Sequence, residues 1–334
     1  MKRWLADGAQ LETVEWRGNK IYTVTVDLTK DFRITTFPNS LAMPMVVAPP
    51  TGQGLASIGA DFKCDYGPCH LYVRDREIWT TGSGRGGVVF VSNQRQATIA
   101  RSQWSVNLFS PDVDPVKIDR VNHGIRGNAA FTARGGTIRM PLDGRHYLTM
   151  RQASDWELLD DGASVRMYEV IGKTSEIAPV VVEGQVVIET LHELPHRLGS
   201  YVKWRQWFGL SDATDVVGGM TQLVKDGSNV APIRIGGSGS LDHDGYYYNP
   251  CPRAGLGVID DHTASLFVVD GRPANQDGIQ LHKLGRFLRQ ERGVRDAMNM
   301  DGGGSAVMWT ADYGVVSEPS YGVLRPVIYS TAVV

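Results

Sequence analysis

Apolar and polar residues alternate with a period near two along much of this chain. Lys20-Ile21-Tyr22-Thr23-Val24-Thr25-Val26-Asp27-Leu28 is the clearest case, and alternation of this kind is what a half-buried strand requires. Related runs fall at 87–91, 130–133, 180–188, 264–269 and 306–309. Turn-forming pairs separate them: Asp143-Gly144, Glu183-Gly184, Asp226-Gly227 and Asp270-Gly271. Such pairs between strand-like runs predict hairpins.

Helical spacing is rarer. Within Ile279 to Arg292, Leu281, Leu284 and Leu288 recur on one face, with Lys283, Arg286 and Arg289 on others. Basic residues crowd the second half and Gly293 follows, which suits a helix C-terminus. A second helix is predicted within Ser200 to Phe208, with Trp204, Trp207 and Phe208 as its packed face. The Pro- and Gly-rich stretch Ala48 to Gly54 reads as a loop, and no low-complexity linker or repeat divides the chain. The expectation is an α+β fold: one domain over residues 1–334, with an extensive mixed or antiparallel sheet and a few packed helices.

Composition narrows the function. Hydrophobic residues make up 42% of the 334 and charged residues 21%, enough to bury a substantial core. The 34 basic residues are balanced by 36 acidic ones, for a net charge of -2. That balance argues against nucleic acid as the main partner, which needs a basic surplus, but one or two arginines suffice for a small anion. No apolar run is long enough to span a membrane. The opening Met1-Lys2-Arg3-Trp4-Leu5-Ala6-Asp7-Gly8 lacks the apolar stretch of a signal peptide. The protein is therefore expected to stay where it is made, to leave by another route, or to have lost its signal. Three cysteines, Cys64, Cys69 and Cys251, are too few for a disulfide scaffold, though Cys64 and Cys69 are spaced to bridge a short loop. No cofactor is implied. Asp242-His243-Asp244 and Asp260-Asp261-His262 have a metal-like composition without regular ligand spacing, so no metal site is expected. Tyr246-Tyr247-Tyr248 suits either sugar stacking or core packing.

The candidate chemistry lies at Asn299-Met300-Asp301-Gly302-Gly303-Gly304-Ser305. Three consecutive glycines are costly in chain entropy, and are expected where the backbone takes unusual dihedrals or approaches a ligand closely. The loop leads into a strand and has no lysine, unlike a nucleotide phosphate loop. Ser305 lacks the Gly-x-Ser-x-Gly frame of a serine-hydrolase elbow. A plain turn remains the alternative, but Asn299, Asp301 and Ser305 gather donors and acceptors on the approachable backbone.

Here the sequence resembles the phosphodiester glycosidases related to the lysosomal uncovering enzyme, N-acetylglucosamine-1-phosphodiester α-N-acetylglucosaminidase. Residues Ala297 to Ala306 resemble the family's Ala-Leu-Asn-Leu-Asp-Gly-Gly-Gly-Ser-Ser, with Ala306 in place of the last serine. Pro252-Arg253-Ala254-Gly255-Leu256-Gly257 resembles its Pro-Arg-Thr-Ala-Ile-Gly, with Cys251 where a histidine is frequent. Val268 to Arg272, Gly218-Gly219 with Leu223 to Gly227, Val121 to Arg126, and Leu324-Arg325-Pro326-Val327 fall in the family's order. Ile58-Gly59-Ala60-Asp61-Phe62 occupies the place of its Asn-Gly-x-Phe-Phe.

The resemblance implies hydrolysis of a sugar-1-phosphodiester in a glycoconjugate or cell-surface glycopolymer. Asp301 is the first candidate carboxylate and Asp61 the second, since glycoside hydrolysis usually uses two. A phosphate leaving group lessens the need for an acid and raises the need for cations. Arg253 and Arg325 are the candidates, because a guanidinium fork matches phosphate oxygens. Asn299, Gly302, Gly303, Gly304, Ser305, Asn122 and Arg126 complete the expected substrate contacts. The alternative is a non-catalytic carbohydrate-binding or virion surface protein, such as a phage tail component, on the same fold. Homo-oligomer and virion assembly are the partner expectations beside the glycan.

Overall fold

The strand expected at 20–28 is Asn19–Asp27 in the computed structural model, and it lies inside an eight-stranded sheet. The order across that sheet is Lys2–Ala6, Ala9–Trp16, Asn19–Asp27, Thr263–Val269, Arg253–Asp260, Asp296–Asn299, Thr221–Lys225 and Ser228–Asn229. Every neighbouring pair is antiparallel. The structure describes residues 1–38, 54–59, 63–64, 67–82, 88–93, 95–123, 127–133, 144–209, 213–232, 248–271, 277–325, 327 and 329–334.

This sheet belongs to the first of two compact units, formed by Met1–Lys63, Gly87–Arg101 and Thr214–Val334. One of its faces is covered by the helix Leu281–Arg292, whose Leu281, Leu284, Phe287 and Leu288 pack on Ile21, Leu223, Phe267, Val269 and Ala297. Arg292 Nη1 reaches Glu12 Oε2 at 2.7 Å, and Gly293 ends the helix in the left-handed region at φ 62. Gly285 lets the helix approach closely: a Cβ there would stand 3.0 Å from the Leu223 carbonyl oxygen. A second sheet of this unit runs Gly314–Val315, Met308–Thr310, Ala56–Gly59, Tyr329–Val333 and Ile34–Pro38. A third group pairs Ala97–Arg101, Val88–Ser92 and Asp215–Gly219.

The second unit, Cys64–Gly86 and Ser102–Ala213, carries its own sheet. Its order is Val113–Ile118, Ser105–Ser110, Tyr201–Trp207, Ser164–Thr174, His146–Gln152, Gln185–Thr190, Ala129–Thr132 and Arg120–Val121. The last pair is parallel and the others antiparallel.

The protein is therefore largely β, with less helix than an α+β fold with several packed helices. Leu281–Arg292 is the one complete α-helix among the described residues. The helix expected within 200–208 is the strand Tyr201–Trp207. Val202, Trp204 and Gln206 face inward while Tyr201 and Lys203 are exposed, a period of two. The run 180–188 forms a strand only from Gln185, and 306–309 only from Met308. The turns at Glu183-Gly184 and Asp226-Gly227 form with Gly184 and Gly227 at positive φ. Asp270-Gly271 does not: Asp270 is buried and Gly271 has no positive φ. Asp143, Asp242-His243-Asp244, Tyr246 and Tyr247 lie outside the described residues. Asp260-Asp261-His262 is a hairpin corner in which Asp260 accepts from the His262 N–H and Asp261 pairs with Arg295. Cys69 is disulfide-bonded and Cys251 is a buried free thiol; the side chain of Cys64 is outside the described set. No helix among the described residues is long and apolar enough to cross a membrane.

Candidate active site

The glycine loop begins where the buried strand Asp296–Asn299 leaves the centre of the main sheet. Asn299 stands opposite Gly255 in register. The Met300 N–H donates to the Ala254 carbonyl at 2.8 Å, which carries the pairing one step further. Asp301 follows where the chain leaves the sheet. Gly303 N–H then donates to the Pro252 carbonyl at 3.0 Å. The chain next tightens into a short 3-10 turn, Gly303–Ser305.

The glycines are needed at specific points. Gly303 has φ +60, the left-handed region that favours glycine. Gly304 lies under Arg325: a Cβ on Gly304 would come within 3.0 Å of the Arg325 Cδ. Gly59, at the end of Ala56–Gly59, lies so close to the Ser305 carbonyl oxygen that a Cβ there would overlap it.

The loop is thus tied by backbone bonds to the Pro252 and Ala254 carbonyls on either side of Arg253, and Arg325 lies across its third glycine. Their surroundings differ. Asp301 is half-buried and Arg325 is exposed. Arg253 is fully buried; its Nε donates to the Ile279 carbonyl at 3.1 Å and its Nη2 to the Asn249 carbonyl at 2.9 Å. Asn299 is fully buried as well, and its Nδ2 donates to the Met300 carbonyl at 2.7 Å. Ser305 is buried. Asn122, in the second unit, sits at φ 51; its amide holds the Trp79 carbonyl and the Thr132 hydroxyl, and its Oδ1 accepts from the Thr132 N–H. Asp61 and Arg126 lie outside the described residues. Cys251, at the position of the frequent histidine, bridges Ile279 through backbone bonds in both directions.

A buried polar set that no motif marks reaches the loop through Ser320. Tyr22 Oη donates to Asp270 Oδ2 at 2.9 Å, and the Glu318 N–H donates to Asp270 Oδ1 at 2.9 Å. Burial is the main cause that pushes the Asp270 carboxyl up to about 6, with the Glu318 charge adding to it. The Glu318 amide, the Tyr22 hydroxyl and Lys20 oppose the shift. Burial and the Asp270 charge raise the Tyr22 phenol in turn. Ser320 donates to the Gly303 carbonyl at 3.0 Å. The available signal was Tyr22 itself, a phenol at an inward position of an apolar strand, which calls for a buried partner.

An aspartate–triglycine loop thus leaves an antiparallel strand of a β-rich protein, with Arg325 against its third glycine. The profile of the phosphodiester glycosidase family matches residues 132–334, and the chain belongs to that family. Among similar solved structures is a hypothetical protein from Synechocystis, with a TM-score of 0.71, 14% identity, and coverage of 97% of this chain and 61% of that one. This chain thus spans about three fifths of the Synechocystis protein. A protein of Burkholderia pseudomallei K96243 has a TM-score of 0.65 at 17% identity, covering 95% of this chain and 74% of its own. These likenesses are of fold. The catalytic domain of zebrafish N-acetylglucosamine-1-phosphodiester α-N-acetylglucosaminidase, auto-inhibited by its pro-peptide, gives 0.46 at 12% identity, covering 97% of this chain and 81% of that one. Comparison with curated proteins gives no match.

Proposed function

We propose that the chain hydrolyses a sugar-1-phosphodiester, of the N-acetylglucosamine-1-phosphodiester type, at the glycine loop. The observation that carries this reading is the loop Asp301-Gly302-Gly303-Gly304-Ser305 with Arg325 lying against Gly304, in a chain of the phosphodiester glycosidase family. The reaction breaks the bond between C1 and the phosphate oxygen. Water supplies the hydroxyl that C1 gains, and the phosphate departs as a monoester carrying its own charge.

Asp301 acts on C1 as nucleophile, or takes the proton of the attacking water. Asp61 remains the proposed second carboxylate. Arg325, exposed and lying over Gly304, neutralises the departing phosphate; a guanidinium near developing charge is the most effective kind of help for such a leaving group. Gly302 and Gly304 offer backbone amides to the sugar phosphate, while those of Gly303 and Ser305 hold the loop's own shape through the Pro252 and Gly302 carbonyls. Arg253 and Asn299, both buried, set the height of the loop from beneath.

The test is release of free sugar from an N-acetylglucosamine-1-phosphodiester. Asp301→Asn keeps the shape and removes the charge. Turnover is expected to fall by at least about 100-fold, the low end for a positioned acid or base, with melting within about a few degrees of wild type. Full turnover in the folded variant removes Asp301 from the mechanism.

A further inference from the structure

We infer that Asp270 and Ser320 form a buried brace that holds Gly303 in place, and that both are positioning residues for the site. The inference rests on the glycosidase reading for its kinetic consequence, but the brace is defined by geometry alone.

The connections close on themselves. Asp270 follows the strand Thr263–Val269 and is 1% exposed. Its Oδ2 accepts from Tyr22 on the neighbouring strand, and its Oδ1 accepts from the Glu318 N–H at 2.9 Å. Two residues beyond Glu318, the buried Ser320 hydroxyl donates to the Gly303 carbonyl at 3.0 Å and lies 3.4 Å from the Gly271 carbonyl. The Gly303 N–H is held by the Pro252 carbonyl. Pro252 in turn packs on Gly271: a Cβ there would stand 3.0 Å from the Pro252 Cδ. Besides the Ala306 N–H that its carbonyl accepts at 3.3 Å within the turn, both polar groups of Gly303 trace back to the pair Asp270-Gly271, one through Pro252 and one through Ser320.

The segment that carries Ser320 also leads to the cation. Tyr321 follows at φ 58, a left-handed conformation uncommon for a residue with a Cβ, and Arg325 lies four residues further on. Anchoring Gly303 through Ser320 on the segment that the buried carboxylate holds fixes the position of the loop, which a reaction sensitive to small misplacements demands. The carboxylate has no open path to a substrate here. It is 1% exposed, and its contacts are a phenol and a backbone amide.

The test compares deletion with replacement in the full chain. Asp270→Ala removes both acceptors, and Ser320→Ala removes the last link only. Asp270→Asn retains an acceptor for the Glu318 N–H, and Ser320→Thr retains the hydroxyl. Hydrogen exchange at the Gly303 and Ala306 amides is the first readout. Each alanine variant should exchange about tenfold faster there, the equivalent of one lost hydrogen bond, with the Met298 amide unchanged. Asp270→Asn and Ser320→Thr should exchange like wild type. The second readout is sugar release, where the alanine variants should lose kcat with little change in KM. Should Asp270→Ala fail to fold, Ser320→Ala decides the matter. A folded Ser320→Ala with wild-type exchange at Gly303 overturns the brace. A wild-type protein that releases no sugar overturns the glycosidase reading, and the exchange comparison then still decides the brace.

Discussion

The carbonyl oxygen of Ser305 occupies the space that a Cβ on Gly59 would need. Gly59 ends a strand of the second sheet, and its N–H donates to the Val307 carbonyl at 3.3 Å. The glycine loop is therefore seated on a strand whose last residue has no side chain. Gly59→Ala forces the turn at 303–305 outward, and overpacking of this kind costs about 1–3 kcal/mol. The expected result is a lower melting temperature together with reduced turnover. Gly18→Ala is the control: Gly18 has φ +75 and open space around it, so it should lose about 1–2 kcal/mol through backbone strain alone with no kinetic effect. Equal kinetics in the two variants would show that the loop does not depend on Gly59.

Asp270 makes a prediction about acid. Burial lifts its carboxyl to about 6 in the folded chain from the ordinary aspartate value of 3.8. The folded state thus holds the proton more tightly than the unfolded state. The sign follows from linkage: the folded chain binds more protons between these values, so stability falls as pH rises through them and is flat above. This is the reverse of a salt-bridged aspartate. The size is of order 1–3 kcal/mol, from about two units at 1.36 kcal/mol each. Asp270→Asn cannot titrate. The difference in unfolding free energy between wild type and Asp270→Asn, measured in urea at pH 4, 5, 6 and 7, should move against wild type as pH rises. A difference independent of pH contradicts the assignment.

The sequence displayed most of the central sheet and its helix, because there pattern and burial agree. Asn19–Asp27 and Thr263–Val269 alternate cleanly or are apolar throughout, and Leu281–Arg292 has one apolar face and a glycine stop. Tyr201–Trp207 misled because Trp204, Trp207 and Phe208 recur at helical spacing. The inward position between them is Gln206, whose amide accepts from the Trp204 indole and binds the Arg76 carbonyl. A buried glutamine erases the apolar mark of a period-two strand. Asp270 misled for a related reason. An Asp-Gly pair normally reads as a turn, and only the distant Tyr22, Glu318 and Ser320 make it a buried acceptor. The loop itself was legible, since three glycines with flanking polar residues are informative locally. The roles of its two arginines were not, because burial is a property of the assembled fold.

Those arginines give the sharpest contrast. Arg325 is exposed beside Gly304, whereas Arg253 is fully buried and holds the carbonyls of Ile279 and Asn249. Under the proposed reaction Arg325 meets the phosphate from the solvent side. Arg325→Ala should then raise KM and lower kcat/KM by roughly tenfold or more, as loss of one charge-assisted contact worth about 1.5–3 kcal/mol predicts. Its melting temperature should stay near wild type, since an exposed side chain contributes little to stability. Arg325→Lys keeps the charge and should recover part of the loss, though not the fork geometry. Arg253→Ala should behave oppositely. It removes a fully buried side chain and its two bonds to the Ile279 and Asn249 carbonyls, and it opens a cavity in the core, so a cost of about 2–5 kcal/mol is expected. The fold should melt well below wild type before any kinetic effect can be read. Thermal unfolding and steady-state kinetics on both variants separate the two roles. An Arg253→Ala protein of normal stability but poor substrate affinity would reverse the assignment and make the buried arginine the one that grips phosphate.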